Sequence, residues 1–146
     1  MDTILTSFSC KISSSDPEAP LALKILLDDK VIYENTHVGE PEVFTYDIVE
    51  DDQEHELFFV MSGKTHEHTK IDEDGNITKD AFLTINDMTF DEIAMEMIVI
   101  KSATYAHDFN GTQAPTVTKF YGEMGCNGTV NLKFSTPIYL WLLENM

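Results

Sequence analysis

The sequence has no arginine among its 146 residues, and its nine cationic side chains are all lysine. Arginine supplies the planar two-pronged donor that most phosphate and carboxylate sites use. The formal net charge of −17 repels the phosphates of nucleic acids and favours cations or neutral partners. The sequence therefore predicts no binding to nucleic acid.

Cysteines and long hydrophobic runs are equally scarce. Cys10 and Cys126 are the two cysteines and form no CxxC motif, which favours two reduced thiols over a disulfide framework. The longest apolar run, residues 138–143, is far shorter than the ~20 residues of a membrane-spanning helix. The first residues, MDTILTSFSC, have neither the basic region nor the apolar core of a secretory signal. These absences predict no membrane association and a cytosolic protein, or a particle assembled in the cytosol.

Familiar catalytic motifs are missing as well. The sequence contains no GxSxG, no HExxH, no P-loop and no dinucleotide-binding glycine fingerprint. We therefore expect that the protein is not an enzyme. One alternative stays open: a pair of carboxylates could form a glycoside hydrolase site, because acidic residues are many and their separation in space is not readable from the sequence.

The charge that is present lies mostly in the first two-thirds of the chain. Residues 1–99 contain 23 acidic residues against six lysines, whereas residues 100–146 contain three of each. Hydrophobic residues make up 42% of the chain, which excludes a disordered acidic tail. The sequence thus predicts an acidic folded module whose last third packs or is covered.

Apolar residues recur mainly with a period of two, which is typical of half-buried strands. Leu21, Leu23 and Ile25 alternate with polar or small residues, and the turn at residues 28–30 leads into a returning strand. We count about ten such strands with turn residues between them, a pattern of antiparallel sandwiches. The predicted fold is all-β, an antiparallel β-sandwich or jelly roll with little helix. Residues 1–146 form one domain, with a sub-boundary near residues 110–115 as the alternative.

Two segments carry less decisive patterns. Residues 88–100 fit both a helical stripe and a strand, and the β-branched run at residues 98–100 favours a strand in the second half. Residues 138–143 are apolar on both faces of a strand, which predicts burial in the core or in a subunit interface. If the core covers only one face of residues 138–143, we expect the other face to be covered by self-association.

Acidic turns are the candidate metal sites. Six carboxylates lie within residues 47–56, and the turn DEDGN follows at residues 72–76. Hard oxygen ligands on turns suit Ca²⁺, and a solvated turn is the alternative. The second turn is not an EF-hand loop, because the aligned first and last ligand positions are occupied by Lys70 and Ala81. Two histidines at residues 66 and 68 share a strand face and could hold a metal ion only with a third ligand from His37, His55, His107 or a carboxylate, and exposed histidines on an edge strand are the favoured alternative. The candidate calcium ligands are Asp47, Asp51, Asp52, Asp72 and Asp74.

Aromatic residues are the candidate ligand platform. Most of them, including Phe120 and Tyr121, lie in apolar or alternating segments and are expected in the core. Tyr33, Tyr46 and Tyr105 stand nearer acidic or loop segments. These three tyrosines are therefore the candidate residues for stacking against a sugar ring.

The order of segments in residues 21–100 resembles one known family. The segments LALKILLDDKVIYEN, FTYDIVEDDQEHELFFVMSG and FLTINDMTFDEIAM follow each other as in jelly-roll carbohydrate-binding modules of the calcium-dependent xylan-binding type. The resemblance implies a β-sandwich that binds carbohydrate with the help of Ca²⁺. The family's Asp-rich calcium loop has no matched counterpart in this sequence, so the resemblance supplies no ligand residue.

The C-terminal segment KFYGEMGCNGTVNLKFSTPIYLWLLENM resembles small uncharacterised proteins of tailed marine phages. That resemblance implies a phage-encoded protein located in the host cytoplasm or in the virion. The leading hypothesis is a non-enzymatic module that binds carbohydrate, with Ca²⁺ as its cofactor. The alternative is a structural virion or assembly protein that associates with itself or with other virion proteins and needs no ligand.

Overall fold

The alternating segments form strands, and the described part of the chain is an antiparallel β-sandwich with two short helices, which confirms the predicted fold class. The computed structural model describes residues 4–65, 69–108 and 113–145, with the side chains of residues 69–70 and 77–79 left out. The elements are β1 (Leu5–Ser14), β2 (Ala22–Leu27), β3 (Lys30–Asn35), β4 (Glu42–Val49), β5 (Glu54–Ser62), β6 (Thr69–Ile71), β7 (Ile77–Asp80), β8 (Leu83–Phe90), β9 (Ile93–Ala94), α1 (Glu96–Ser102), β10 (Thr104–His107), β11 (Thr116–Lys119), β12 (Glu123–Met124), β13 (Gly128–Ser135) and α2 (Ile138–Asn145).

Two sheets face each other. The first has the strand order β12-β8-β1-β4, with β9 paired to β8, and the second has the order β11-β10-β13-β5-β2-β3. A separate hairpin joins β6 to β7, and each recorded strand pair is antiparallel. Strands that are distant in sequence therefore become neighbours, which brings turns from different parts of the chain together.

The core lies between the two sheets and follows the alternation read from the sequence. On β1, Phe8, Cys10 and Ile12 are buried while the residues between them reach the outer face. Leu23 and Ile25 of the predicted hairpin are buried in the core from the opposite sheet. Other buried side chains of the core are Ile48, Leu57, Phe59, Leu83, Ile85, Phe90, Val130, Leu132 and Phe134.

The predicted strand in the second half of residues 88–100 is wrong. Strand β8 ends at Phe90, and helix α1 follows after the short β9. Met95, Ile98 and Val99 lie at helical spacing and are buried, so packing of this stripe outweighs the β-propensity of the branched residues. Strand β10 comes directly after α1.

The strand predicted at residues 138–143 is also wrong, because these residues form helix α2. Ile138, Trp141 and Leu142 lie on one helix face and are buried, whereas the intervening residues are exposed. The predicted burial therefore holds for half of the segment. Pro137 directly precedes the helix, and its carbonyl oxygen accepts the backbone N–H of Leu140 at 3.2 Å.

The segment around residues 110–115 was the alternative domain boundary. Residues 109–112 lie outside the described ranges, and the strands on either side, β10 and β11, pair with each other in one sheet. Neither helix of the described ranges is long and apolar enough to cross a membrane.

Candidate functional site

Tyr105, the first of the three candidate tyrosines, belongs to the core. It lies on β10 with 6% of its surface exposed, and its ring packs edge-on against Phe120. Its hydroxyl donates to the carbonyl oxygen of Cys126 and accepts from the N–H of Cys126 at 2.9 Å. Burial raises the pKa of Tyr105 to about 12. A ring held in this way offers no free face to a sugar.

Tyr33 and Tyr46, on the edge strands β3 and β4, are brought together around Phe44. The ring centre of Phe44 lies 5.2 Å from that of Tyr33 and 6.4 Å from that of Tyr46. The Tyr33 hydroxyl donates to the Glu42 carboxylate, and burial together with that carboxylate raises the pKa of Tyr33 to about 12. The ammonium of Lys30 lies over the Tyr46 ring at 5.9 Å from its centre. Both predicted tyrosines are half-buried and already engaged.

The five candidate calcium ligands are not assembled into one site. Asp47 lies on the exposed face of β4, Asp51 and Asp52 lie in the turn before β5, and Asp72 and Asp74 lie in the turn between β6 and β7. Among the residues whose positions are described, no three Asp, Glu, His or Cys side chains are close enough to hold one metal ion. The histidines at residues 66 and 68 lie outside the described residues.

Some of these carboxylates have structural partners instead. The Asp72 carboxylate accepts the backbone N–H groups of Asp74 and Asn76 at 3.0 and 2.9 Å, which closes the β6–β7 turn. The Asp51 carboxylate accepts from the Thr136 hydroxyl at 2.9 Å and contacts His55 Nε2 at 2.8 Å. These carboxylates stabilise turns, and their described partners leave no preformed ion cage.

The neighbouring acid Glu50 holds the start of helix α2. Its carboxylate accepts from the Thr6 hydroxyl and from the backbone N–H of Ile138 at 3.1 Å. A carboxylate at this position satisfies one of the free N–H groups of a helix and matches the positive end of its dipole. The acidic turn thus fastens α2 to the sandwich.

A groove of about 540 Å³ runs beside α2. Carboxylates of Glu54, Glu56 and Glu144 line it together with Lys133. Trp141 also lines it, but only 7% of this residue is exposed because its ring packs against Phe90 and Phe134. The groove is polar and lacks an exposed aromatic ring among its described lining residues.

A second cavity, which we name the Tyr121 cleft, lies between β8, α1 and residues 120–122. Its volume is about 260 Å³, and Tyr121 at its side is 70% exposed. The apolar lining residues are Ile85, Met88, Ala94, Val99, Ile100 and Phe120. The polar lining residues are Asn86, Asp87, Thr89 and Glu96.

The strand that forms one wall of the Tyr121 cleft is bulged. Ser9 pairs with Thr89 and Lys11 pairs with Asn86, so β8 has one more residue than β1 between these two pairs. Asp87 lies in this bulge with a φ of 52°, a left-handed conformation that Asp tolerates better than most residues. Asp87 is therefore exposed at the cleft while its neighbour Met88 is buried.

Two anchors hold the backbone on either side of Tyr121. Phe120, immediately before it, is fully buried, and the carbonyl of Gly122, immediately after it, accepts the Ile85 N–H at 2.8 Å. Gly122 has a φ of 103°, which glycine adopts at low cost. The Tyr121 cleft therefore presents an aromatic ring from a backbone that is fixed on both sides.

Tyr121 was missed in the sequence because it stands beside Phe120 in an apolar segment. In extended chain, two adjacent residues point to opposite sides, so both cannot face the core. With Phe120 buried, that rule alone places Tyr121 on the outside. No comparable pattern in the sequence indicates the bulge at Asp87.

Comparisons with known proteins identify the fold. No protein-family model matches the chain, and no curated protein matches it. Among solved structures, vCBM60 in complex with galactobiose matches with a TM-score of 0.50 and 8% identity over 86% of this chain and 96% of that chain. The selenomethionine form of vCBM60, from a study of circular permutation between two families of calcium-dependent carbohydrate binding modules, matches with a TM-score of 0.50 and 8% identity over 87% and 89% of the two chains.

This likeness supports the predicted resemblance to carbohydrate-binding modules at the level of the fold. At 8% identity it transfers no ligand and no binding residue. The resemblance of the C-terminal segment to phage proteins stays a prediction.

Proposed function

We propose that the protein is a non-catalytic carbohydrate-binding module and that its glycan-binding surface is the Tyr121 cleft. The observation that carries this proposal is the 70% exposed ring of Tyr121, which lines the cleft together with the polar residues Asn86, Asp87 and Thr89. Small-ligand sites typically combine such an aromatic wall with a few polar groups that set orientation. A sugar ring has one face of C–H groups that packs on an aromatic ring and hydroxyls that bond to amides and carboxylates.

The size of the Tyr121 cleft sets how much of a glycan it can take. Its 260 Å³ is slightly below the ~300 Å³ at which sites for drug-sized ligands begin. We therefore assign one sugar ring to the cleft and the rest of the chain to the surface around Tyr121. Binding would be weak for a monosaccharide and stronger for an oligosaccharide that also contacts this surface.

The shared fold supports a carbohydrate ligand, because both matched structures are carbohydrate-binding modules and one of them holds galactobiose. Both belong to calcium-dependent modules, so Ca²⁺ is part of the hypothesis for this chain. The described carboxylates do not fit around one ion, and for this reason the proposal assigns the glycan contacts to the chain's own side chains. The test therefore compares glycan binding with and without Ca²⁺.

A glycan array tests the proposal with three proteins, each probed in Ca²⁺ and in a calcium chelator. The proteins are the wild type, Tyr121→Ala and Tyr139→Ala, which removes another exposed tyrosine that does not line the cleft. We expect the wild type and Tyr139→Ala to retain the same glycans and Tyr121→Ala to lose about tenfold in affinity, or ~1.4 kcal/mol. Retention of no glycan by the wild type would refute the function, and unchanged binding by Tyr121→Ala would refute the site.

The same array separates the Tyr121 cleft from the tyrosines singled out in the sequence. A Tyr33→Ala variant removes a ring of the cluster around Phe44 and leaves the cleft unchanged. If glycans bind at that cluster with Tyr46, Tyr33→Ala loses them and Tyr121→Ala keeps them. The proposal expects the reverse.

A second candidate function, self-association in a structural role, rests on the outer face of α2. Tyr139, Leu140 and Leu143 form an exposed apolar face on this helix. A particle mass above that of one chain in solution, reduced to one chain by Leu143→Lys, would support this function. A single-chain mass for the wild type at high concentration would exclude it.

A further inference from the structure

We propose that the Tyr121 cleft selects glycans that carry a protonated amino group. This inference rests on the proposed function and names the class of glycan for the same cleft. It starts from the charges that line the cavity: Asp87 on the β8 side and Glu96 on the α1 side. Among the described lining residues these are the charged ones, and both are negative.

The two carboxylates are free to bind a ligand. Other acids of the chain are engaged in the fold: Asp51 contacts His55, Glu50 accepts from Ile138, and Glu56 accepts from the Asn131 amide at 2.6 Å. In contrast, neither Asp87 nor Glu96 has a hydrogen-bond or ion-pair partner within the described ranges of the chain. A ligand that supplies a cation would therefore displace no internal contact.

The arrangement of the cleft matches an ammonium group on a sugar better than a bare metal ion. Either carboxylate can accept a charge-assisted hydrogen bond from an –NH₃⁺ group. Tyr121 lines the same cleft with an exposed ring, and the face of such a ring attracts cations. Apolar residues such as Ile100 and Ala94 line the space between and suit the C–H face of a sugar ring. A hydrated divalent ion would gain nothing from the ring or from this apolar lining.

The negative charge of the cleft also disfavours glycans that carry an anionic group. Uronic acids and sulfated sugars would place an anion against Asp87 and Glu96, in a protein with a net charge of −17. Like charges at contact distance repel. The expected order of affinity is amino glycan, then neutral glycan, then acidic glycan.

The test compares two ligands that differ in charge and share the same ring and linkage. Tetramers of β-1,4-linked glucosamine and of N-acetylglucosamine are titrated calorimetrically into the wild type at ~0.15 M salt, which screens long-range attraction. The pH is kept below the pKa of the glucosamine amine. We expect the glucosamine tetramer to bind about tenfold more tightly than its acetylated counterpart.

Matched variants separate the cleft from the general negative charge of the protein. Asp87→Asn and Glu96→Gln each remove one charge with little change in shape, and Asn tolerates the left-handed backbone at residue 87. Asp47→Asn removes the same charge from the exposed face of β4, a strand that β1 separates from β8 and that contributes no residue to the cleft lining. We expect each cleft variant to lose roughly fivefold in affinity for the glucosamine tetramer and Asp47→Asn less than twofold.

The possible outcomes distinguish failure of amine selection from failure of carbohydrate binding. Equal binding of the two tetramers would refute selection of the amine and leave carbohydrate binding intact. Equal losses in Asp87→Asn and Asp47→Asn would refute the cleft as the source of selection, because net charge would then explain the result. Absence of binding by either tetramer would also refute the inference, while the glycan array decides the proposed function independently.

Discussion

His55 Nε2 lies 2.8 Å from the carboxylate of Asp51, across the turn that leads into β5. Its other ring nitrogen lies 2.7 Å from Asp28, in the turn between β2 and β3. Only a protonated imidazole donates from both nitrogens, so this geometry fits a histidinium between two carboxylates. The contact joins two turns at one end of the sandwich.

This relationship predicts a pH-dependent contribution of His55 to stability. Burial of the ring lowers its pKa, but the hydrogen bonds to Asp28 and Asp51 outweigh that effect, and the net shift is upward from 6.5. Because the pKa of the folded state is raised, the stabilisation is complete below the unfolded pKa and is lost as pH rises through the folded pKa. We expect His55→Gln to cost about 1 kcal/mol at pH ~5.5 and less at pH ~8.5, since both carboxylates are partly solvated.

Thermal unfolding of the wild type and His55→Gln across this pH range measures the effect. His37→Gln is the control, because His37 contacts the Pro17 carbonyl and no carboxylate among its recorded partners. A difference in melting temperature between wild type and His55→Gln that grows with rising pH would contradict the assignment.

Trp141 should be the main anchor of helix α2. Its ring centre lies 6.1 Å from that of Phe90 and 6.2 Å from that of Phe134, with edge-on geometry in both pairs. We expect Trp141→Ala to lower the free energy of unfolding by about 3–5 kcal/mol, the usual cost of removing a buried aromatic side chain. Urea denaturation gives the value. The matched control is Leu143→Ala on the exposed face of the same helix, which should cost less than ~0.5 kcal/mol.

Gly128 should tolerate no side chain. It begins β13, and a Cβ added there would overlap the Ala106 carbonyl oxygen and lie 2.9 Å from the Cβ of His107. We expect Gly128→Ala to destabilise the protein by about 1–3 kcal/mol, because the backbone of β10 must shift. In Gly39→Ala the new Cβ meets no atom within 4 Å. Equal unfolding midpoints for these two variants would show that β10 and β13 are not packed as described.

The two cysteines should react with alkylating reagents at different rates. Cys10 is buried on β1, and burial raises its pKa to about 12. Burial also raises the pKa of Cys126, but this thiol is partly exposed. Because a reagent must reach the sulfur, Cys126 should be modified by iodoacetamide in the folded state and Cys10 only after unfolding. Peptide mass analysis after a short reaction checks this, and prior modification of Cys10 would contradict the burial of β1.

The sequence predicted those parts of the fold whose signal is local. Alternation along β1 and β2 gives both the strand and its buried face, because each residue of a strand turns to the opposite side of its neighbours. Helix α2 was missed because a segment with apolar residues at every position fits either period. The spacing of Ile138, Trp141 and Leu142, with Pro137 before them, is the helical signal that the strand interpretation overlooked.

The candidate site depends on contacts that are distant in the sequence. The Tyr121 cleft joins residues of β8 and α1 with residues 120–122, and His55 meets an aspartate 27 residues away. Charge density alone suggested ion sites at residues 47–56, where the structure uses Glu50 and Asp51 to fasten a turn and a helix. Local patterns reveal which residues are acidic, and only the tertiary fold decides which acids stay free.

The most direct test of the account is NMR chemical-shift mapping of the ¹⁵N-labelled protein with the most tightly bound glycan of the array. The account predicts that the amide signals of Asn86, Asp87, Tyr121 and Gly122 shift in a saturable manner and that those around Tyr33 stay in place. Shifts confined to the tyrosine cluster at Tyr33 and Tyr46, or to the groove beside α2, would contradict it.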